Sequence, residues 1–175
     1  VDDQGRVLVV WFEGLLIKSK LWDGKAWGDE TLAATNSNRE WRMSVTNIPG
    51  GKWALAWYDQ RTAGTDVLAK FYDGKTWSGE TRLNRNQNSF YATIANLGDG
   101  KLLVAWEDRD KQDDKYLLAA SCFDGHAWSE PMYLVRDDAM SRYCSLAPYQ
   151  DSVNAIWFSV KPGNDEIFHG LIRRK

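Results

Sequence analysis

Short runs in which apolar residues alternate with polar ones, or fill every position, recur along the chain between turn signals. In "WRMSVTNI" (Trp41–Ile48) and "KWALAWYD" (Lys52–Asp59) the β-prone residues stand on either side of Pro49-Gly50-Gly51, which predicts a hairpin. "TDVLAKFY" (Thr65–Tyr72) and "WSGETRLN" (Trp77–Asn84) follow, split by Asp73-Gly74. The sequence then repeats the scheme with "FYATIANL", "KLLVAWED", "KYLLAASCF" and "WSEPMYLV". No window keeps a helical apolar period for three turns. The pattern predicts four short strands per unit, joined as an antiparallel meander.

Two independent marks share one period. "LWDGKAW", "FYDGKTW" and "CFDGHAW" bring Asp23, Asp73 and Asp124 round about every fifty residues, and Trp11, Trp57, Trp106 and Trp157 keep the same step. A period of this length marks a repeat architecture. A four-stranded sheet with two apolar faces must stack on copies of itself, and radial stacking of twisted sheets gives a β-propeller. The Asp-Gly pair is expected to supply positive-φ positions for the turn between third and fourth strands. The Trp after it is expected to seal the gap to the adjacent blade.

The expected fold is therefore all-β, a partial β-propeller of four-stranded antiparallel blades, about half of a larger ring. The units run approximately 1–36, 37–86, 87–137 and 138–175. The first begins at its second strand and the last stops after its third. The remainder of the ring is expected from the same polypeptide or a second chain, a homodimer included.

Composition narrows the class. The chain has 175 residues, 43% hydrophobic and 13% aromatic, with ten Trp, which suits a packed core. With a net charge of −2 and its basic residues scattered among acids, it shows no nucleic-acid footprint. No apolar run reaches the roughly 20 residues of a membrane span. Cys122 and Cys144 read as small buried residues. No metal-ligand spacing, P-loop or dinucleotide motif is present, so no metal and no cofactor is expected.

In these units, carried by "VAWEDR…FDGHAWSEP" and "LAWYDQR…YDGKTWSGE", nearly the whole chain resembles secreted bacterial β-propellers with sialidase-like, degenerate Asp-box (BNR-like) repeats. "WDGKAW" is also similar to the repeat of fucose-binding propeller lectins. The resemblance implies the propeller fold, an extracellular or periplasmic setting and a carbohydrate ligand. The activity stays open among binding module, glycoside hydrolase and polysaccharide lyase.

In a propeller, the starts of inner strands and the loops between second and third strands converge on one face. Here those segments hold Arg39, Trp41, Tyr58, Asp59, Arg61, Asn88, Tyr91, Glu107, Asp108, Arg109, Arg142 and Tyr143. Aromatic rings stack on the C–H face of a pyranose, and guanidinium forks take paired hydroxyls or a carboxylate. The expected ligand-binding set is Arg39, Trp41, Tyr58, Arg61, Tyr91, Glu107, Arg109, Arg142 and Tyr143. Tyr91, Arg142 and Tyr143 differ between blades and are the catalytic candidates should the face be an enzyme's. Asp59 and Asp108 recur once per blade and read instead as loop caps, with Arg61 and Arg109 as local ion pairs. His126 falls in the outer Asp-Gly turn and His169 within a third-strand run. A third reading is a platform for protein partners.

Overall fold

The computed structural model describes residues 1–35, 42–60, 64–109, 115–135, 140–150, 152–161 and 164–173. Its strands form four antiparallel sheets, the blades of a partial β-propeller. The first blade holds β1 (Val7–Glu13), β2 (Leu16–Trp22) and β3 (Thr31–Thr35). The second holds β4 (Met43–Ile48), β5 (Lys52–Asp59), β6 (Asp66–Tyr72) and β7 (Thr81–Arg82). The third holds β8 (Ser89–Gly98), β9 (Lys101–Arg109), β10 (Tyr116–Phe123) and β11 (Met132–Val135). The fourth holds β12 (Met140–Tyr149), β13 (Ser152–Lys161) and β14 (Asn164–Arg173). Every neighbouring pair is a meander step, as the pattern of turns predicts.

The inner strands meet at the centre. β8 packs between β4 and β12, and side chains stitch the first of these contacts. Ile94 N donates to Ser44 Oγ at 3.1 Å and Asn96 Nδ2 to the Asn47 carbonyl at 2.8 Å. The core lies between sheets: Ala54, Tyr58, Val67, Val104 and Trp106 fill the space between second and third blades, while Leu103, Ala105, Leu118, Val153 and Ala155 fill that between third and fourth. The second strands β5 and β9 are buried almost throughout, which explains why they read as continuous apolar runs instead of alternating ones.

The recurring turn works differently from the expectation in one respect. Only the glycines take positive φ, 100° at Gly24, 95° at Gly74 and 106° at Gly125. The aspartates act as acceptors. Asp73 Oδ1 takes the amides of Lys75 (2.8 Å) and Thr76 (2.7 Å), and Asp23 and Asp124 repeat the arrangement. Those amide donors hold all three carboxyls below the usual Asp range. The stability they contribute is present above the ordinary Asp pKa and lost as pH falls through the lowered values. The Asp73→Asn variant, melted between pH 6 and 2, should therefore show a shallower acid decline than the unchanged chain.

The Trp of each turn behaves according to its neighbour. Trp77 reaches the first blade and donates Nε1 to Ser19 Oγ at 3.0 Å. Trp128 stacks on Phe71 of the second blade, ring centroids 6.3 Å apart. Trp27 leans on its own Trp22 and stays 50% exposed. The far side of the fourth blade similarly leaves Ile156, Ile167 and Leu171 exposed. These two outer faces carry the apolar residues that in the middle blades are covered by a neighbour.

Candidate functional site

At one end of the blades the starts of β4, β8 and β12 meet the end of β9 and the start of β10. Two bulges shape this end. Phe90 pairs with Glu107 and Thr93 with Ala105, so Tyr91 and Ala92 together oppose Trp106. Arg142 pairs with Phe158 and Ser145 with Ile156, so Tyr143 and Cys144 oppose Trp157. The extra residue re-aims the strand. Tyr91 (φ 53°) and Tyr143 (φ 55°) both sit in the left-handed region, which strains residues with a Cβ and is held only when the surroundings enforce it.

Glu107 does the enforcing at Tyr143. Its Oε1 accepts the Tyr143 amide at 2.6 Å, and its Oε2 accepts Arg142 Nε at 3.2 Å. The side chain has no exposed surface. Burial pushes its pKa up, against the pull of the Tyr143 amide, the Arg142 guanidinium and the charge of Arg42. Arg142 in turn, though burial works against its charge, is held above its ordinary value by the carboxylate. The neighbouring Cys144 thiol is pushed up to about 12 by burial and by the charge of Glu107, so it stays a thiol at neutral pH.

Around this pair lie rings and guanidiniums in alternation. Arg142 stands 4.4 Å over the Tyr116 ring and 4.8 Å over that of Tyr143. Arg42 stands 4.7 Å over Tyr91 and 5.2 Å over Tyr143, and Arg109 lies 5.7 Å from Tyr116. The Tyr91 and Tyr143 rings are 5.2 Å apart. Cation–π pairs of this kind hold the rings and the cations in fixed mutual positions. Tyr143, 42% exposed, and Arg42 are the members most open to solvent.

The structure thus brings together Tyr91, Glu107, Arg109, Arg142 and Tyr143 of the residues singled out in the sequence. Arg39, Trp41 and Arg61 lie outside the described residues. Two members need correction as direct ligand contacts. Tyr58 is fully buried in the core, its ring edge-on to Tyr91 at 5.7 Å, and Glu107 is enclosed by the groups it holds; both support the face from beneath. Asp108 is tied into the loop by Ser89 Oγ (2.9 Å), Asn86 Nδ2 (3.2 Å) and Tyr133 OH (3.0 Å). Asp59 is buried, and Asn88 contributes its backbone, its carbonyl accepting the Arg109 amide at 2.9 Å. His169 meets Asn154 within the fourth sheet at 2.7 Å.

Sequence reasoning missed Arg42, one residue beyond Trp41. The sequence did hold a sharper signal for Glu107. The residue after each repeat Trp is Phe12, Tyr58, Glu107 and Phe158, so an acid replaces an aromatic in the third blade alone. Among the described residues no group of three His, Cys, Asp or Glu is placed to hold a metal ion, and no helix is long and apolar enough to cross a membrane.

No family model and no curated protein matches the chain. Among solved structures it is similar to an endo-arabinase from Bacteroides thetaiotaomicron VPI-5482, at 14% identity and a TM-score of 0.36, over 99% of this chain and 91% of that one.

Proposed function

We propose that the protein recognises carbohydrate through the face built by Arg42, Tyr91, Tyr116, Arg142 and Tyr143, and that it prefers sugars bearing a carboxylate. The observation that carries this reading is the exposed Tyr143 ring flanked by two guanidiniums. An exposed ring suits the C–H face of a pyranose, and a guanidinium beside it suits a uronate or sialate carboxylate. Titration calorimetry against uronate, sialylated and neutral oligosaccharides tests it. Tyr143→Ala and Arg42→Ala are each expected to weaken binding of the acidic sugar by about tenfold, some 1.4 kcal/mol. Absence of binding to every acidic and neutral glycan would remove the reading.

The same geometry supports a second reading, a polysaccharide lyase. Tyr143 or Tyr91, as the phenolate, would take the C5 proton next to a uronate carboxylate that Arg142 and Arg42 neutralise. The freed electron pair forms the C4–C5 double bond as the C4–O glycosidic bond breaks, and the leaving oxygen takes a proton from water. Absorbance from unsaturated products separates catalysis from binding, and reducing-end release covers a hydrolase. A stable protein partner without any glycan effect would favour the platform reading instead. Exposed apolar faces on the first and fourth blades support completion of the ring by further blades or a second copy, which light scattering distinguishes.

A further inference from the structure

The junctions between blades show which faces of a blade are built to be covered. The strand register places Ile17, Val67, Leu118 and Ile167 at one position, each just before the residue paired with the repeat Trp. In the first three blades this position packs on the following blade. Ile17, Val67 and Leu118 are fully buried there, whereas Ile167 is 79% exposed. The face toward the preceding blade shows the converse. Two residues before the repeat Trp stand Val9, Leu55, Val104 and Ala155. The last three are buried, and Val9 is 41% exposed. The fourth blade thus has an uncovered forward face and the first blade an uncovered backward face, both apolar.

These two faces match each other as the covered ones do. Trp77 of the second blade donates Nε1 to Ser19 of the first, and Trp128 of the third stacks on Phe71 of the second. Trp27 holds the same place in the first blade and stays exposed. In the fourth blade the register puts His169 at the place of Ser19 and Leu171 at that of Phe71, and both are exposed. His169 Nε2 lies 2.7 Å from Asn154 Oδ1. That oxygen accepts, so Nδ1 is left as an acceptor for an indole N–H, as Ser19 Oγ is for Trp77. Phe158 likewise keeps the aromatic ring that Phe12 and Tyr58 present to the next blade. Three strands suffice for such a junction, since the three-stranded first and fourth blades already pack tightly on the second and third. A partner for either face must carry the other, and this chain carries both. Rings of typically about four to eight blades leave room for one further copy.

We infer that two copies of this chain close one ring head to tail, the forward face of each fourth blade covering the backward face of the other copy's first blade. The contact is heterologous, and two such contacts related by a two-fold axis close the assembly. The inference does not rest on the carbohydrate reading, although closure sets two Tyr143 faces at one end of a common axis. Light scattering on the whole chain should give twice its mass of 20.0 kDa, with a Kd of about 1 μM or tighter. Ile167→Asp and Val9→Asp, both at exposed positions, should each weaken the dimer at least about tenfold with circular dichroism unchanged. Should the charge disturb a strand, Ile167→Thr and Val9→Thr keep β-branched residues and should shift the dimer in the same direction. A mixture of the two Asp variants should hold more dimer than either alone, because it contains one unaltered junction. A chain that stays monomeric at about 100 μM would overturn the inference and leave both faces to further blades or another protein. Growth into open polymers would overturn it too. So would a dimer that responds to only one of the two changes, which would show a symmetric contact. Binding of acidic glycan by a monomeric chain would leave the Tyr143 reading standing.

Discussion

Trp106→Ala is expected to destabilise the fold by about 3–5 kcal/mol, and Trp106→Phe by well under half of that. Trp106 is 1% exposed and sits between second and third blades with Tyr58, Leu83, Val104 and Ala119. Alanine there leaves a cavity that two curved sheets cannot close by collapsing, since their backbones are pinned by ladders on both sides. Phenylalanine leaves a smaller one. It also removes a donor that is a liability, because the indole Nε1 is buried with no hydrogen-bond partner. An unsatisfied buried N–H costs about 1–3 kcal/mol, and its loss offsets part of the missing volume. Urea unfolding of the three chains measures both differences. Equal losses for the two variants would show that the indole nitrogen is satisfied after all, and losses under 1 kcal/mol for alanine would show that the blades slide together over the gap.

That the core indoles could be chosen from the sequence follows from how a propeller is built. The second strands of the two middle blades are covered on both faces, so each reads as an apolar run leading to Trp, and the spacing of Trp57 and Trp106 reports one whole blade. The Asp-Gly turns are equally local: Asp73 bonds only amides within three residues. Interactions that depend on the neighbouring blade were less legible. "WSGETRLN" predicts a full outer strand, yet only Thr81–Arg82 pairs with β6. The first part of that segment is spent on the Tyr72–Trp77 bridge and on the amide of Ser78 closing back to Phe71. Asn84 reads in sequence as the end of that strand, but its side chain binds Val67 N, the Thr65 carbonyl and Ser89 Oγ, locking the second blade to the start of the third.

The candidate site divides in the same way. Arg142 could be picked because it differs from its counterpart Phe90, a property visible in one dimension, whereas Tyr91 and Tyr143, expected to differ between blades, prove to be the same residue in equivalent bulges. Arg42 owes its place to reaching across two blades to rings about fifty and a hundred residues away, and nothing near it in sequence records that. The bulges at Tyr91 and Tyr143 are also tertiary in origin. Neither contains a glycine, so the left-handed turn is imposed, at Tyr143 by a carboxylate from another blade.

Glu107→Ala should accordingly be among the most damaging changes on the molecule, about 3–5 kcal/mol, since it strands the Arg142 guanidinium and the Tyr143 amide together. Glu107→Gln keeps an acceptor and should fold, which makes it the better probe. Because burial raises the Glu107 pKa, the folded chain holds this proton to higher pH than the unfolded chain does. The favourable protonation contribution is full below the ordinary carboxyl value and is lost as pH rises through the raised one. The stability of the unchanged chain relative to Glu107→Gln should therefore decline with rising pH across that window. Acidic-sugar affinity, measured above the window, should also fall in Glu107→Gln, by about tenfold, because the weaker acceptor lets Arg142 and Tyr143 leave their paired geometry. A glutamine variant with unchanged sugar affinity and a pH-independent stability difference would show that Glu107 merely fills space. A loss confined to affinity, with the Tyr143 amide resonance displaced, would identify it as the positioning residue of the face.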